Sequence, residues 1–211
     1  AAAGVAAASP GRPLGPPSRL VESSALVICP PLGPEMDAVQ ALRRVHDRGC
    51  ARWPMPHLRL FWPFVPPQAL HARRAALEAA ARAFPAFELD LGAPHILHGG
   101  AAARGGADRV YVGFVPGVEA AGRCEALREA LLAVFPECER QCGRGAHAVH
   151  LTIGQFPLAE AEGRVVEWTE TLALLPPWRC SAVVALGRCD ADAAFAERVS
   201  VALSGPSVAL A

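Results

Sequence analysis

The chain of 211 residues contains neither lysine nor asparagine, and all 20 of its basic residues are arginine. Without Asn there is no acceptor for N-linked glycosylation, and without Lys there is no amine nucleophile. Alanine is correspondingly abundant, a pattern that reads as the codon bias of a GC-rich coding sequence. No apolar run reaches the roughly 18 residues of a membrane-spanning helix. Excess charge is also lacking: the formal net charge is zero and the pI is near 7.2. A protein that grips long nucleic acid by its phosphates carries a basic excess. Its absence favours a small or terminal ligand and leaves room only for a local basic cleft. Cysteine is neither absent nor dense. Seven residues, an odd number, are scattered along the chain, which fits free thiols in a reducing intracellular compartment (cytoplasm, nucleus or an organelle) better than a disulfide framework.

What is present is enough apolar material, 52%, for one large domain or two small lobes sharing a core. Residues 1–22 are rich in Ala, Pro and Gly and read as a disordered leader. A transit-peptide remnant is the weaker reading of the same segment. The chain does not begin with Met, so a piece of a longer protein is also expected. Residues 23–211 read as a single domain, and the protein as a monomer.

Along that domain, Ala25–Cys29 is a short apolar strand stopped by Pro30 and Pro31. Glu35–His46 places Met36, Val39, Leu42 with Arg43, and Val45 at helical spacing. Gln68–Phe84 predicts one continuous Ala- and Leu-rich helix. Phe87–Leu91 alternates as a strand, hairpinned to a second at Asp108–Val115 across a Gly-rich loop. Helices at Cys124–Phe135 and Ala159–Leu174, and closing strands at Trp178–Leu186 and Phe195–Leu203, complete the pattern.

Two strands carry chemistry. In Ala148–Phe156, Val149, Leu151 and Ile153 share one face, and His150, Thr152 and Gly154 share the other. In Pro56–Phe61, Leu58 and Leu60 oppose His57 and Arg59. Both read His-Leu-x-aliphatic, half a chain apart, as in a duplicated unit. Two imidazoles can serve as acid and base, and a hydroxyl and a guanidinium can hold an anion. The element order predicts an α+β fold of two pseudo-symmetric lobes. Each is a small, mostly antiparallel sheet backed by helices, with a cleft between them.

The segment Arg52-Trp53-Pro54-Met55-Pro56-His57-Leu58-Arg59-Leu60-Phe61-Trp62-Pro63-Phe64, together with His150-Leu151-Thr152-Ile153-Gly154-Gln155-Phe156, resembles the paired motifs of the 2H phosphoesterase superfamily. That superfamily includes the 2'-5' RNA ligase-like proteins and RNA 2',3'-cyclic phosphodiesterases. The resemblance spans roughly residues 25–203. It implies metal-independent hydrolysis of a cyclic or 2'-5' phosphodiester at an RNA end or on a small nucleotide, without a cofactor. It makes His57 and His150 the catalytic acid and base, in either order. It makes Arg59 and Thr152 the phosphate holders, with Arg59 standing where the family has Thr or Ser. That replacement keeps a second reading open, a nucleotide- or RNA-end-binding module without turnover. A third is a scaffold fragment.

Other residues admit plainer readings. Trp62, Phe64 and Phe156 fit a base-stacking wall, but core packing is the more ordinary role. Cys138, Cys142, His147 and His150 lie within 13 residues as conceivable zinc ligands. Their intervals match no common finger, and two His three apart on a strand face opposite sides. His95 and His98 read as a solvated turn, and His46 and His71 as helical residues without an evident partner.

Overall fold

The computed structural model describes residues 18–97, 109–142, 148–172 and 175–203. His98 and His147 lie outside them, as do residues 1–17 of the segment read as a leader. Residues at the end of that segment are tied down: Val21 bridges Phe64, and the Ser18 amide donates to Glu137 at 3.0 Å.

The elements run β1 (Ser24–Ile28), α1 (Pro34–His46), β2 (Leu58–Phe61), α2 (Pro67–Ala72), α3 (Arg74–Ala83), β3 (Phe87–Leu89), β4 (Leu91–Leu97), β5 (Arg109–Pro116), α4 (Val118–Leu132), a 3-10 helix (Pro136–Gln141), β6 (Leu151–Pro157), α5 (Leu158–Thr171), β7 (Trp178–Cys180), β8 (Ala182–Gly187) and β9 (Ala196–Ala202). The strands form antiparallel sheets in the orders β2-β1-β8-β9, β4-β5-β6 and β3-β7. This is the mixed α+β class the sequence predicts. The strands are not divided at the middle of the chain, however. The larger sheet takes strands from both ends, and the three-stranded sheet takes the centre.

Three sequence expectations change. The helix expected over Gln68–Phe84 is two, broken at Arg73. Arg73 is buried and reaches Glu137 at 2.8 and 3.0 Å, a partner 64 residues away. The strand expected at Phe87–Leu91 is split at Asp90. Its first part pairs with β7, and its second continues to Leu97 and pairs with β5. His95 is therefore an exposed strand residue and not part of a turn. The segment Trp178–Leu186 likewise becomes two strands in two sheets, interrupted at Ser181.

In β1 and β8 alternate residues serve different cores. Leu26, Ile28, Val183 and Ala185 join the main core, while Ala25, Val27, Val184 and Leu186 meet Phe195, Trp53 and Trp62 on the other face. Burial on both faces explains why β1 reads as a continuous apolar run instead of alternating. Helices α3 and α4 cover the first face, and α1 and α5 back the three-stranded sheet. Phe64 and Phe156 are core residues, as their plainer reading had it. His46 does have partners: its ring lies 5.3 Å from Phe156 and 5.6 Å from Trp168.

Strand β2 lies at a sheet edge, where unpaired carbonyls need partners. Buried Arg128 of α4 supplies them, donating to Leu60 O at 2.9 Å and Arg59 O at 3.1 Å. Gln141 completes the edge. Its amide accepts from Trp62 N at 2.7 Å and donates to Pro63 O at 2.8 Å. The Trp62–Pro63 peptide between them is cis.

Candidate active site

His57 and His150 each stand one residue before a strand, His57 ahead of β2 in the four-stranded sheet and His150 ahead of β6 in the three-stranded sheet. Both rings are fixed the same way. His57 Nδ1 lies 2.9 Å from Met55 O, and His150 Nδ1 lies 2.8 Å from Ala148 O. A carbonyl only accepts, so each Nδ1 carries the hydrogen, and each neutral ring keeps its lone pair on Nε2.

The two rings line one cavity of about 490 Å³, together with Arg59 and Thr152. The four residues singled out from the sequence are thus neighbours around a shared space, although they come from two sheets. Trp62 lines it as well, whereas Phe64 and Phe156 do not.

Gly154 does not keep the place that simple alternation gives it. The β5–β6 register pairs Tyr111 with Gln155 but Gly113 with Thr152, with a shift between Val112 and Gly113. One extra residue in β6 therefore turns Gln155, three positions after Thr152, onto the cavity face. Gly154 packs under α1, where a Cβ would lie 2.8 Å from His46 Cβ.

Several lining residues were given no site role by the sequence, although Trp53 and Gln155 lie inside the two motif segments. Trp53 stacks between His57, with centroids 4.7 Å apart, and Phe195, at 3.7 Å. Arg59 sets its guanidinium carbon 5.3 Å from the Trp62 ring centre. Among the described residues it makes no hydrogen bond or ion pair through its side chain. Arg43 of α1, 2% exposed, pairs with Asp47 at 3.1 Å and donates to Trp53 O at 2.9 Å. Asp47 in turn accepts from Gly49 N at 2.8 Å and from Gln155 Nε2 at 3.2 Å. The only signal for this network was the Arg43–Asp47 spacing of four on a helix, which says nothing of Gln155 108 residues later.

Burial pushes the His57 pKa from 6.5 down to about 3, and the positive fields of Arg59, Arg43 and His150 add to the effect. The Met55 carbonyl opposes it. His57 is therefore neutral at physiological pH. Arg59 is also lowered, chiefly by burial, but a guanidinium starts high enough to stay charged. The site thus offers a neutral imidazole beside a partly desolvated cation, an environment that strengthens attraction for an anion.

No group of three or more His, Cys, Asp or Glu among the described residues is arranged to hold a metal ion. The thiol of Cys138, one of the conceivable zinc ligands, is pushed up to about 12 by burial, so it is protonated rather than a ready thiolate ligand. All seven cysteines are free. No described helix is long and apolar enough to cross a membrane.

Antiparallel sheets backed by helices thus bring a His-Leu-x-aliphatic segment from each of two sheets to one cavity. The sequence profile of the 2'-5' RNA ligase superfamily matches residues 30–190, and the chain belongs to that superfamily. Solved structures agree in fold. TT0787 of Thermus thermophilus is 17% identical with a TM-score of 0.51, over 86% of this chain and 98% of that one. LigT of E. coli, complexed with 3'-AMP, is 15% identical with a TM-score of 0.50, over 87% and 99%. No curated protein matches the chain by sequence.

Proposed function

We propose that the protein is a metal-independent phosphodiesterase that opens a 2',3'-cyclic phosphate, or cleaves a related 2'-5' linkage, at an RNA end or on a small nucleotide. The observation that carries this reading is the convergence of His57, Arg59, His150 and Thr152 on one cavity. In this reading the phosphorus sits between the two Nε2 atoms. One imidazole takes a proton from the attacking water as the new P–O bond forms. The other, protonated on both nitrogens, gives its Nε2 proton to the leaving ribose oxygen as the old bond breaks. The Nδ1 bonds to Met55 and Ala148 carbonyls hold both rings in the tautomer that presents Nε2.

Arg59 and Thr152 hold the non-bridging oxygens as charge develops on them. Arg59 brings a full charge and more than one donor where a hydroxyl brings one. This stronger hold is also what a binding module without turnover would use. Hydrolysis of a 2',3'-cyclic nucleotide, assayed with and without EDTA, tests the proposal. Turnover unchanged by the chelator is expected. A wild type that binds nucleotide but does not cleave it, with an Arg59→Thr variant that gains activity, establishes the binding module instead.

A further inference from the structure

We infer that the cleft holds a second phosphate next to the reacting one, so that the favoured substrate is an RNA end of at least two nucleotides and not a free cyclic mononucleotide. The inference rests on the phosphodiesterase reading above and narrows its substrate.

The chain as a whole is neutral, but the cavity wall is not. It carries Arg43, Arg48, Arg52 and Arg59 against Asp47 and Asp192. Arg43 and Asp47 cancel in a buried pair at 3.1 Å. Three arginines then face one aspartate, a local excess of two positive charges. A cyclic phosphate diester brings one negative charge and takes Arg59. One positive charge is left over, and one flanking phosphodiester neutralises it. Among the described residues, neither Arg48 nor Arg52 has a side-chain hydrogen bond or ion pair.

The segment that carries these two arginines is held in place. Cys50 N donates to Asp47 O at 2.9 Å, Arg52 N to Gly49 O at 3.0 Å, and Phe195 N to Arg52 O at 2.8 Å. Asp47 Oδ1 ties the turn to Gln155 of β6 at 3.2 Å. Gln155 faces Tyr111 and Thr152 faces Gly113, two residues apart on β5, so they stand about 7 Å apart along the sheet, which is the scale of one nucleotide. The turn thus sets two exposed guanidiniums on the wall of the cavity that Arg59 and Thr152 also line. Because they are exposed, salt weakens their hold.

The test measures kcat/KM of the full chain for adenosine 2',3'-cyclic phosphate, for the dinucleotide ApA ending in a 2',3'-cyclic phosphate, and for 5'-phosphoadenosine 2',3'-cyclic phosphate. At low salt the dinucleotide is expected to exceed the mononucleotide by about ten-fold or more, with the margin shrinking as salt rises. An Arg48→Ser/Arg52→Ser double variant is expected to lose that margin while keeping its rate on the mononucleotide. Equal turnover of all three substrates, unchanged in the double variant, overturns the inference and leaves hydrolysis standing. A gain confined to the 5'-phosphorylated mononucleotide overturns the oligonucleotide assignment. Affinities for 3'-AMP and for ApA 3'-phosphate, measured in parallel, read the same preference without turnover. Failure of hydrolysis and failure of the second phosphate site are therefore separate results.

Discussion

His57 and His150 hold their rings alike, each donating from Nδ1 to the carbonyl two residues earlier, at 2.9 and 2.8 Å. The two backbones before β2 and β6 therefore impose one tautomer on both rings, with Nε2 unprotonated when the ring is neutral. Ring-nitrogen NMR of the free protein above pH 7 is expected to show the Nδ1–H form at both positions. The Nε2–H form at either one contradicts the arrangement.

Arg59 occupies the place where a hydroxyl is usual, stacked over Trp62 and with no carboxylate in ion-pair contact among the described residues, Asp47 acting on it only through its field. If it is the principal anion holder, Arg59→Ala should weaken binding of 3'-AMP by about ten-fold or more, since a charge-assisted bond contributes roughly 1.5–3 kcal/mol. Arg59→Thr should weaken binding less and retain turnover. Isothermal titration measures the first, and the hydrolysis assay the second. Unchanged affinity in Arg59→Ala removes Arg59 from the site.

Burial lowers the His57 pKa from 6.5 to about 3, so acid should unfold the protein partly through this residue. Between those values the unfolded chain binds a proton that the folded chain refuses. Stability therefore falls as pH drops through that window, and is unaffected by this group above it. The slope from one such group reaches at most about 1.4 kcal/mol per pH unit. Denaturant titrations at several pH values should show a shallower acid slope in His57→Ala than in wild type. Identical slopes mean that His57 is not held neutral by the fold.

The extra residue in β6 depends on close backbone approach at Gly113. A Cβ there would press on the Leu151 carbonyl and lie 3.1 Å from Thr152 Cα. Both are backbone atoms and neither can rotate away. Gly113→Ala should cost about 2 kcal/mol or more and displace Thr152 from the cavity face. Chemical denaturation gives the first, and 3'-AMP affinity the second. A neutral substitution contradicts the tight approach.

Much of the fold was legible because its strands and helices follow their local periodicities. Both motif histidines could be paired because two separate segments repeat the same alternation. What escaped was set by distant contacts. Arg73 breaks a strong helical pattern to reach Glu137. Asp90 divides an alternating strand because its two parts pair with β7 and β5. Gly154 was put on the face of His150 and Thr152 and Gln155 was given no place there, because alternation has no way to register an extra residue that appears only when β6 is laid against β5. Trp53 stands in the first motif segment with no role that alternation assigns it. Its role beside His57 follows from a stack with Phe195, 142 positions further on in the chain.

The convergence of two imidazoles on one phosphate is tested most directly by replacing each in turn with alanine and measuring turnover of a 2',3'-cyclic nucleotide. General acid and base each contribute about 10²–10⁴-fold, so His57→Ala and His150→Ala should each lose at least about 10²-fold in kcat while unfolding cooperatively. Near wild-type turnover in either properly folded variant contradicts the two-histidine mechanism.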